Sequence, residues 1–223
     1  MKKKSARFEK ALIICNGESP GRKPVQKLAR HSDLIVAADG GANVALSLGI
    51  RPDVIIGDLD SITKQTARFF STSRLIHVSR QDNTDLEKAL DFLRGIETKK
   101  VAIVAATGKR LDHTLGNLSV IWNYTSSIEI RFVGDAWYAV PIDNRRTFHA
   151  STGTIISLLP FGACAGITLR GLRYPLTNAS MKVGEIGVSN VVEKSPFSVD
   201  VKKGRVLMIV TSTKKTMELP DSW

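Results

Sequence analysis

Residues 34–60, LIVAADGGANVALSLGIRPDVIIGDLD, contain a strand, a helix and a second strand in one short stretch. LIVAA (34–38) and DVII (53–56) are continuous apolar runs of strand length, rich in Ile and Val, and such runs are buried on both faces of a sheet. Between them the glycine pair Gly40-Gly41 opens a segment with Val44, Leu46 and Leu48 at helical spacing. Strand, helix, strand makes a parallel pair joined by a crossover. Each strand runs out into acid: Asp39 follows the first, and Asp58 and Asp60 follow the second.

The same unit repeats outward on both sides. ALIIC (11–15), LIHV (75–78), VAIVAA (101–106) and IEIRFV (128–133) are further strands, and Leu86, Ala89, Leu90, Leu93 and then Leu115, Leu118, Ile121 and Trp122 mark helices. The first part of the chain is therefore expected to be an α/β domain, a mostly parallel sheet with helices on both faces. After about residue 136 the pattern changes to short runs separated by Gly, Pro, Asn and Lys (TIISLLP, AGITLRG, NVVEKS, FSVDV, RVLMIV), which reads as an all-β sandwich or partial barrel. The expected division is 1–138 and 139–223, with a linker at the bend Val140 to Asn144.

Composition narrows the function classes. The 223 residues are 43% hydrophobic and 24% charged, ordinary globular usage. Cys15 and Cys164 lie in apolar runs outside any CxxC pattern, which argues against a disulfide framework or structural zinc. The N-terminal run Ala11 to Cys15 is too short for a signal peptide, and no run reaches membrane-span length, so a soluble cytoplasmic protein with no membrane partner is expected. A net charge of +11 suggests polyanionic partners, yet the first ten residues alone supply five basic and one acidic residue.

The loops after the parallel strands carry the chemistry. They hold Asn16-Gly17, Asp39-Gly40-Gly41, Asp58 and Asp60, Asp82 with Thr84-Asp85, and Gly108 to His113. In an open parallel sheet these loops share the edge where ligands bind. Asp39, Asp58, Asp60, Asp82, Asp85 and Asp112 are expected to meet there. Any one of them could merely cap a helix, but six like charges in one crevice need cations to offset them. Hard oxygen donors suit Mg²⁺ with substrate phosphates as further ligands. Lys88 and Arg110 add positive charge beside the acids, and Gly40, Gly41, Gly57 and Gly108 let backbone N–H groups approach an anion. Carboxylates, Mg²⁺, cations and glycine-rich turns together indicate phosphoryl transfer. GxxxxGK[ST] and GxGxxG are both absent, and DxDS at Asp58 to Ser61 is a weak phosphatase-like match.

Taken in order, AADGGAN (37–43), PDVIIGDLDSI (52–62), DNTDLEKAL (82–90), TGKRLDHTLGNL (107–118) and GVSN (187–190) resemble the thiamin pyrophosphokinase family. The resemblance implies transfer of a pyrophosphoryl group from ATP to the hydroxyl of thiamin, giving thiamin diphosphate and AMP. It also implies an N-terminal α/β domain, a C-terminal β-sandwich, and a homodimer with active sites between subunits. Matched residue by residue, it makes Asp58, Asp60 and Asp85 the Mg²⁺ positions, with Lys88 and Arg110 as catalytic cations. Asn16, Gly17, Asp39, Gly40, Gly41, Asn43, Asp82, Thr84, Gly108, Asp112, His113 and Asn117 fall on the ATP side. Ser189, Asn190 and Tyr174 fall on the thiamin side, Tyr174 standing where many relatives have Trp. Two other readings stay open: a related Mg²⁺-dependent transferase with another alcohol acceptor, and a basic nucleic-acid-binding protein. The second is disfavoured by the acidic crevice, so no nucleic acid is expected as partner.

Overall fold

A computed structural model describes residues 8–185 and 187–212. The chain divides into two compact units, 1–134 and 135–223, four residues ahead of the expected boundary.

The first unit contains strands β1 (Lys10–Ile14), β2 (Leu34–Ala38), β3 (Val54–Gly57), β4 (Arg74–His77), β5 (Lys100–Val104) and β6 (Glu129–Val133). All are parallel, in the order β6-β5-β1-β2-β3-β4. Consecutive residues Ala11 to Ile14 and Val101 to Val104 are all buried, so both faces of the central strands are covered. The crossovers carry α1 (Arg22–Arg30), α2 (Gly41–Leu48), α3 (Lys64–Phe69), α4 (Asp85–Gly95) and α5 (Leu111–Val120). Because the chain steps outward from β1 to β4 and then returns to β5 on the other side of β1, the β1–β5 junction is the topological switch point.

Local chemistry sets the helix ends. Helix α4 starts in a capping box: the Glu87 amide donates to Thr84 Oγ1 at 3.2 Å, and the Thr84 amide donates to Glu87 Oε2 at 2.8 Å. Helix α2 ends at Gly49, whose φ of +66° suits a residue without Cβ. Its start is packed so closely on β1 that a Cβ on Gly41 would overlap the Ile14 carbonyl oxygen.

The second unit is a pair of antiparallel sheets. One has β7 (Trp137–Ile142), β14 (Val206–Thr211), β9 (Ile155–Pro160) and β12 (Asn190–Val191); the other has β8 (Arg146–Phe148), β13 (Phe197–Asp200), β10 (Cys164–Arg170) and β11 (Leu176–Met181). The expected linker is corrected here: Val140 to Ile142 lie inside β7, with Pro141 opposite Leu207, and only Asp143 and Asn144 turn the chain. Among the described residues no helix is long and apolar enough to cross a membrane.

Candidate active site

At the carboxyl ends of the parallel strands lies a cleft of about 560 Å³. The loops after β1 and β5 close its floor. The Gly17 amide donates to the Ala105 carbonyl at 2.6 Å, the Glu18 amide to that of Thr107 at 2.8 Å, and Lys109 Nζ to the Asn16 carbonyl at 2.8 Å. A Cβ on Gly17 would strike the Thr107 carbonyl, and one on Gly108 (φ +80°) would strike the Glu18 side chain. Close backbone approach therefore requires glycine at 17, and the left-handed backbone requires it at 108.

Carboxylates gather on the β2 and β3 side. Oxygens of Asp39, Asp58 and Asp60 lie within 4.8 Å of one another. Asp39 is 3% exposed, and its Oδ1 is buried with no hydrogen-bond partner among the described residues. Leu59, at φ +66°, turns the chain between Asp58 and Asp60. An all-oxygen set with one buried, unpartnered acceptor fits a hard divalent cation. This differs from the sequence reading, which grouped Asp85 with Asp58 and Asp60 and put Asp39 on the nucleotide side.

Asp85 instead pairs with Lys88. Lys88 is 4% exposed; its Nζ donates to Asp85 Oδ1 at 2.9 Å and lies 3.9 Å from Asp58 Oδ2. Burial pushes the Asp85 carboxyl above its ordinary range; Lys88 opposes this, and the Asp39 and Asp58 charges reinforce it. For Asp58 burial also acts upward, but the Asp60 amide, the Gln81 side chain and Lys88 together hold it below the usual range. The two acids thus diverge: one stays an anion, the other is the better proton acceptor. Gly57 lies between Asp39 and Asp85, and a Cβ there would crowd Asp39 Cβ and Asp85 Oδ1.

The remaining expected residues fall into three groups. Asn16, Gly17, Gly108, Arg110, His113, Thr84 and Asn117 line the cleft, but Thr84 spends its hydroxyl on the α4 cap, and buried Asn117 donates to the Ala106 carbonyl at 2.8 Å. Arg110 makes a two-pronged ion pair with Asp112, which holds the Asp112 carboxyl down at about 2. Arg80 grips Asp82 in the same way, at 2.9 and 3.0 Å. Asp82, Asp112, Asp60, Gly40, Gly41 and Asn43 do not line the cleft wall. Sequence reasoning missed Gln81, whose Nε2 donates to Asp58 Oδ2 at 3.3 Å, and Lys109 and Cys15 in the wall. Lys109 was visible in the TGKRLDH motif; Gln81 had no signal beyond its neighbours.

In the second unit a hollow of about 340 Å³ is lined mainly by apolar groups, including Leu158, Leu169, Leu176 and Met181, with Tyr174 and Asn190. The Tyr174 residue is 63% exposed. Its backbone is clamped by Asn190, whose Oδ1 accepts from the Tyr174 amide at 3.0 Å and whose Nδ2 donates to the Tyr174 carbonyl at 2.8 Å. Both ends of the Asn190 side chain therefore hold Tyr174. Ser189 lies outside the hollow's lining, its amide donating to Ser157 Oγ at 3.2 Å.

Carboxylates and a buried lysine at the carboxyl ends of a parallel sheet, beside a cleft with room for phosphates, define the class: an α/β phosphotransferase. Known proteins make the class particular. Residues 25–132 match the family model described as thiamin pyrophosphokinase, catalytic domain, and residues 141–206 match thiamin pyrophosphokinase, vitamin B1 binding domain. The chain is 31% identical to thiamine pyrophosphokinase 1 of Arabidopsis thaliana, across 92% of this chain and 87% of that one. The crystal structure of thiamine pyrophosphokinase from Bacillus subtilis superposes with a TM-score of 0.81 at 26% identity, covering 92% of this chain and all of that one. Yeast thiamin pyrophosphokinase, at 18% identity and a TM-score of 0.78, shares the fold over 93% of this chain and 87% of its own. The chain belongs to the thiamin pyrophosphokinase family.

Proposed function

We propose that the protein moves the β,γ-pyrophosphoryl group of ATP onto the hydroxyl of thiamin, yielding thiamin diphosphate and AMP. The observation that carries this is the carboxylate trio Asp39, Asp58 and Asp60 beside the Lys88–Asp85 pair, with Asp39, Asp58, Asp85 and Lys88 lining the cleft. Those three acids would hold Mg²⁺, which would supply charge neutralisation to the phosphates.

The chain's own residues divide the remaining work. Asp85, pushed up by burial and paired with Lys88 beside the trio, accepts the thiamin hydroxyl proton as that oxygen attacks the β-phosphorus. The bond between β-phosphorus and the α,β-bridging oxygen breaks, and its electron pair leaves on AMP. Lys88 keeps Asp58 and Asp85 anionic before ATP arrives, and Arg110, at the cleft edge, releases Asp112 to meet phosphate oxygens. In the second unit the exposed Tyr174 ring offers a stacking face to the aromatic, cationic acceptor. Asn190 acts through Tyr174, and Ser189 shapes the adjoining turn. We also propose a homodimer in the cytoplasm, on the family resemblance; light scattering after gel filtration tests the dimer.

The test of the reaction is AMP release measured with ATP, Mg²⁺ and thiamin against a control without thiamin. Thiamin-dependent AMP with matching thiamin diphosphate is the expected result. AMP release that ignores thiamin, with no thiamin diphosphate formed, rejects the reaction.

A further inference from the structure

We infer that Asn43 is a positioning residue that sets the spacing of the cation site; this rests on reading Asp39, Asp58 and Asp60 as that site. The three carboxylates come from two separate loops. Asp39 lies between β2 and α2, whereas Asp58 and Asp60 lie between β3 and α3. The β2–β3 ladder ends at Ala38 opposite Ile56, and one more bond follows it, from the Asp39 amide to the Ile56 carbonyl at 2.8 Å. The β3 loop then leaves the sheet through Leu59 in the left-handed region.

Asn43 catches that loop further along. Its Nδ2 donates to the Ser61 carbonyl at 2.8 Å, and its Oδ1 accepts from the Thr63 amide at 3.1 Å. The side-chain amide stands in for a peptide group of a neighbouring strand. It fastens the loop bearing Asp58 and Asp60 to the first turn of α2, directly after Asp39. Thr63 is also the α3 N-cap, its Oγ1 accepting from the Thr66 amide at 3.1 Å, so the tie fixes where that helix begins. Both ends of the side chain face backbone, and Asn43 is absent from the cleft wall. The sequence reading made Asn43 an ATP contact; the geometry points to a strut between the two acidic loops. Neither a methyl nor a hydroxyl at position 43 can make both bonds.

Losing a residue that orients metal ligands typically costs about 10- to 100-fold in affinity. Asn43 orients through backbone, so the lower end applies. The experiment is calorimetric titration of the nucleotide-free protein with Mn²⁺, comparing wild type, Asn43→Ala, Asn43→Ser and Asp58→Asn, with circular dichroism to confirm folding. The expected result is Mn²⁺ binding about tenfold weaker in whichever Asn43 variants fold, and a larger loss in Asp58→Asn. Wild-type affinity in a folded Asn43 variant, alongside lost affinity in Asp58→Asn, overturns the strut and leaves the cation site standing. Failure of wild type to bind Mn²⁺ overturns the cation reading and the strut with it.

Discussion

Replacing Lys88 by Met keeps the buried stem and deletes the ammonium that two carboxylates share. Nζ is 2.9 Å from Asp85 and 3.9 Å from Asp58, and the lysine side chain is 3% exposed. Removing one partner of a fully buried ion pair costs about 3–5 kcal/mol. Here the acids retain water, with side-chain exposures of 36% for Asp85 and 21% for Asp58, so the loss is nearer to about 2 kcal/mol. In a chain of this size that lowers the melting temperature by about 4–8 °C. Because the lost ammonium also repels a cation in the cleft, Lys88→Met binds Mn²⁺ more tightly, and saturating Mn²⁺ narrows the gap to wild type. Adding Asp85→Asn to Lys88→Met removes one of the orphaned charges and recovers part of the loss, a coupling that a double-mutant cycle reads directly. Differential scanning calorimetry with and without Mn²⁺ measures all three quantities. A Lys88→Met melting temperature within about 1 °C of wild type, unresponsive to Asp85→Asn, would refute the charge-balancing role.

Other expectations are independent of that pair. Burial and the Asp85 charge push the Cys15 thiol up to about 12, and Cys164 is 3% exposed, so the folded protein should react with a disulfide reagent at pH 8 only as fast as it opens; immediate labelling of one thiol contradicts this. The Asp112 carboxyl is held down by Arg110, so their fork is intact above the ordinary aspartate range and is lost as pH falls through about 2. A carbon-detected NMR titration of Asp112 with its midpoint near the ordinary aspartate value of 3.8 would remove the pairing from solution. Asn190→Ala strips both bonds from the Tyr174 backbone, costing about 2 kcal/mol in denaturant titrations and raising KM for thiamin but not for ATP; an equal rise in both denies the clamp its role. Gly41→Ala drives a methyl into the Ile14 carbonyl and should destabilise the protein by about 1–3 kcal/mol in the same titration, an unchanged midpoint being the adverse result.

The parallel half of the fold was legible because each strand announces itself twice, by a continuous apolar run and by an acidic or glycine-bearing loop after it. All six expected strands are present. Helices α1 and α3 were not expected: α1 is a mostly polar segment around Val25 and Leu28, and α3 is six residues long with Thr66 buried. Pro141 read as a break but sits in β7 opposite Leu207, a place where ladder pairing outweighs local preference. The crevice was legible from topology alone, since strand order brings the carboxyl-end loops together. The roles inside it were not. Which acids cluster depends on the turn at Leu59 and on how deep Asp39 lies, and neither follows from spacing. Thr84 and Asn190 look like ligand-facing polar residues in sequence; in three dimensions their hydrogen bonds go to a helix cap and a backbone clamp.

Pyrophosphoryl transfer by attack at the β-phosphorus fixes which phosphorus of ATP reaches thiamin, and isotopic labels follow it. Two reactions are run with Mg²⁺ and thiamin, one with ATP labelled with ³²P in the α-phosphate and one with the label in the β-phosphate. The β label is expected in thiamin diphosphate, while the α label stays in AMP. An α label in the thiamin product, or a β label retained in ADP, would contradict it.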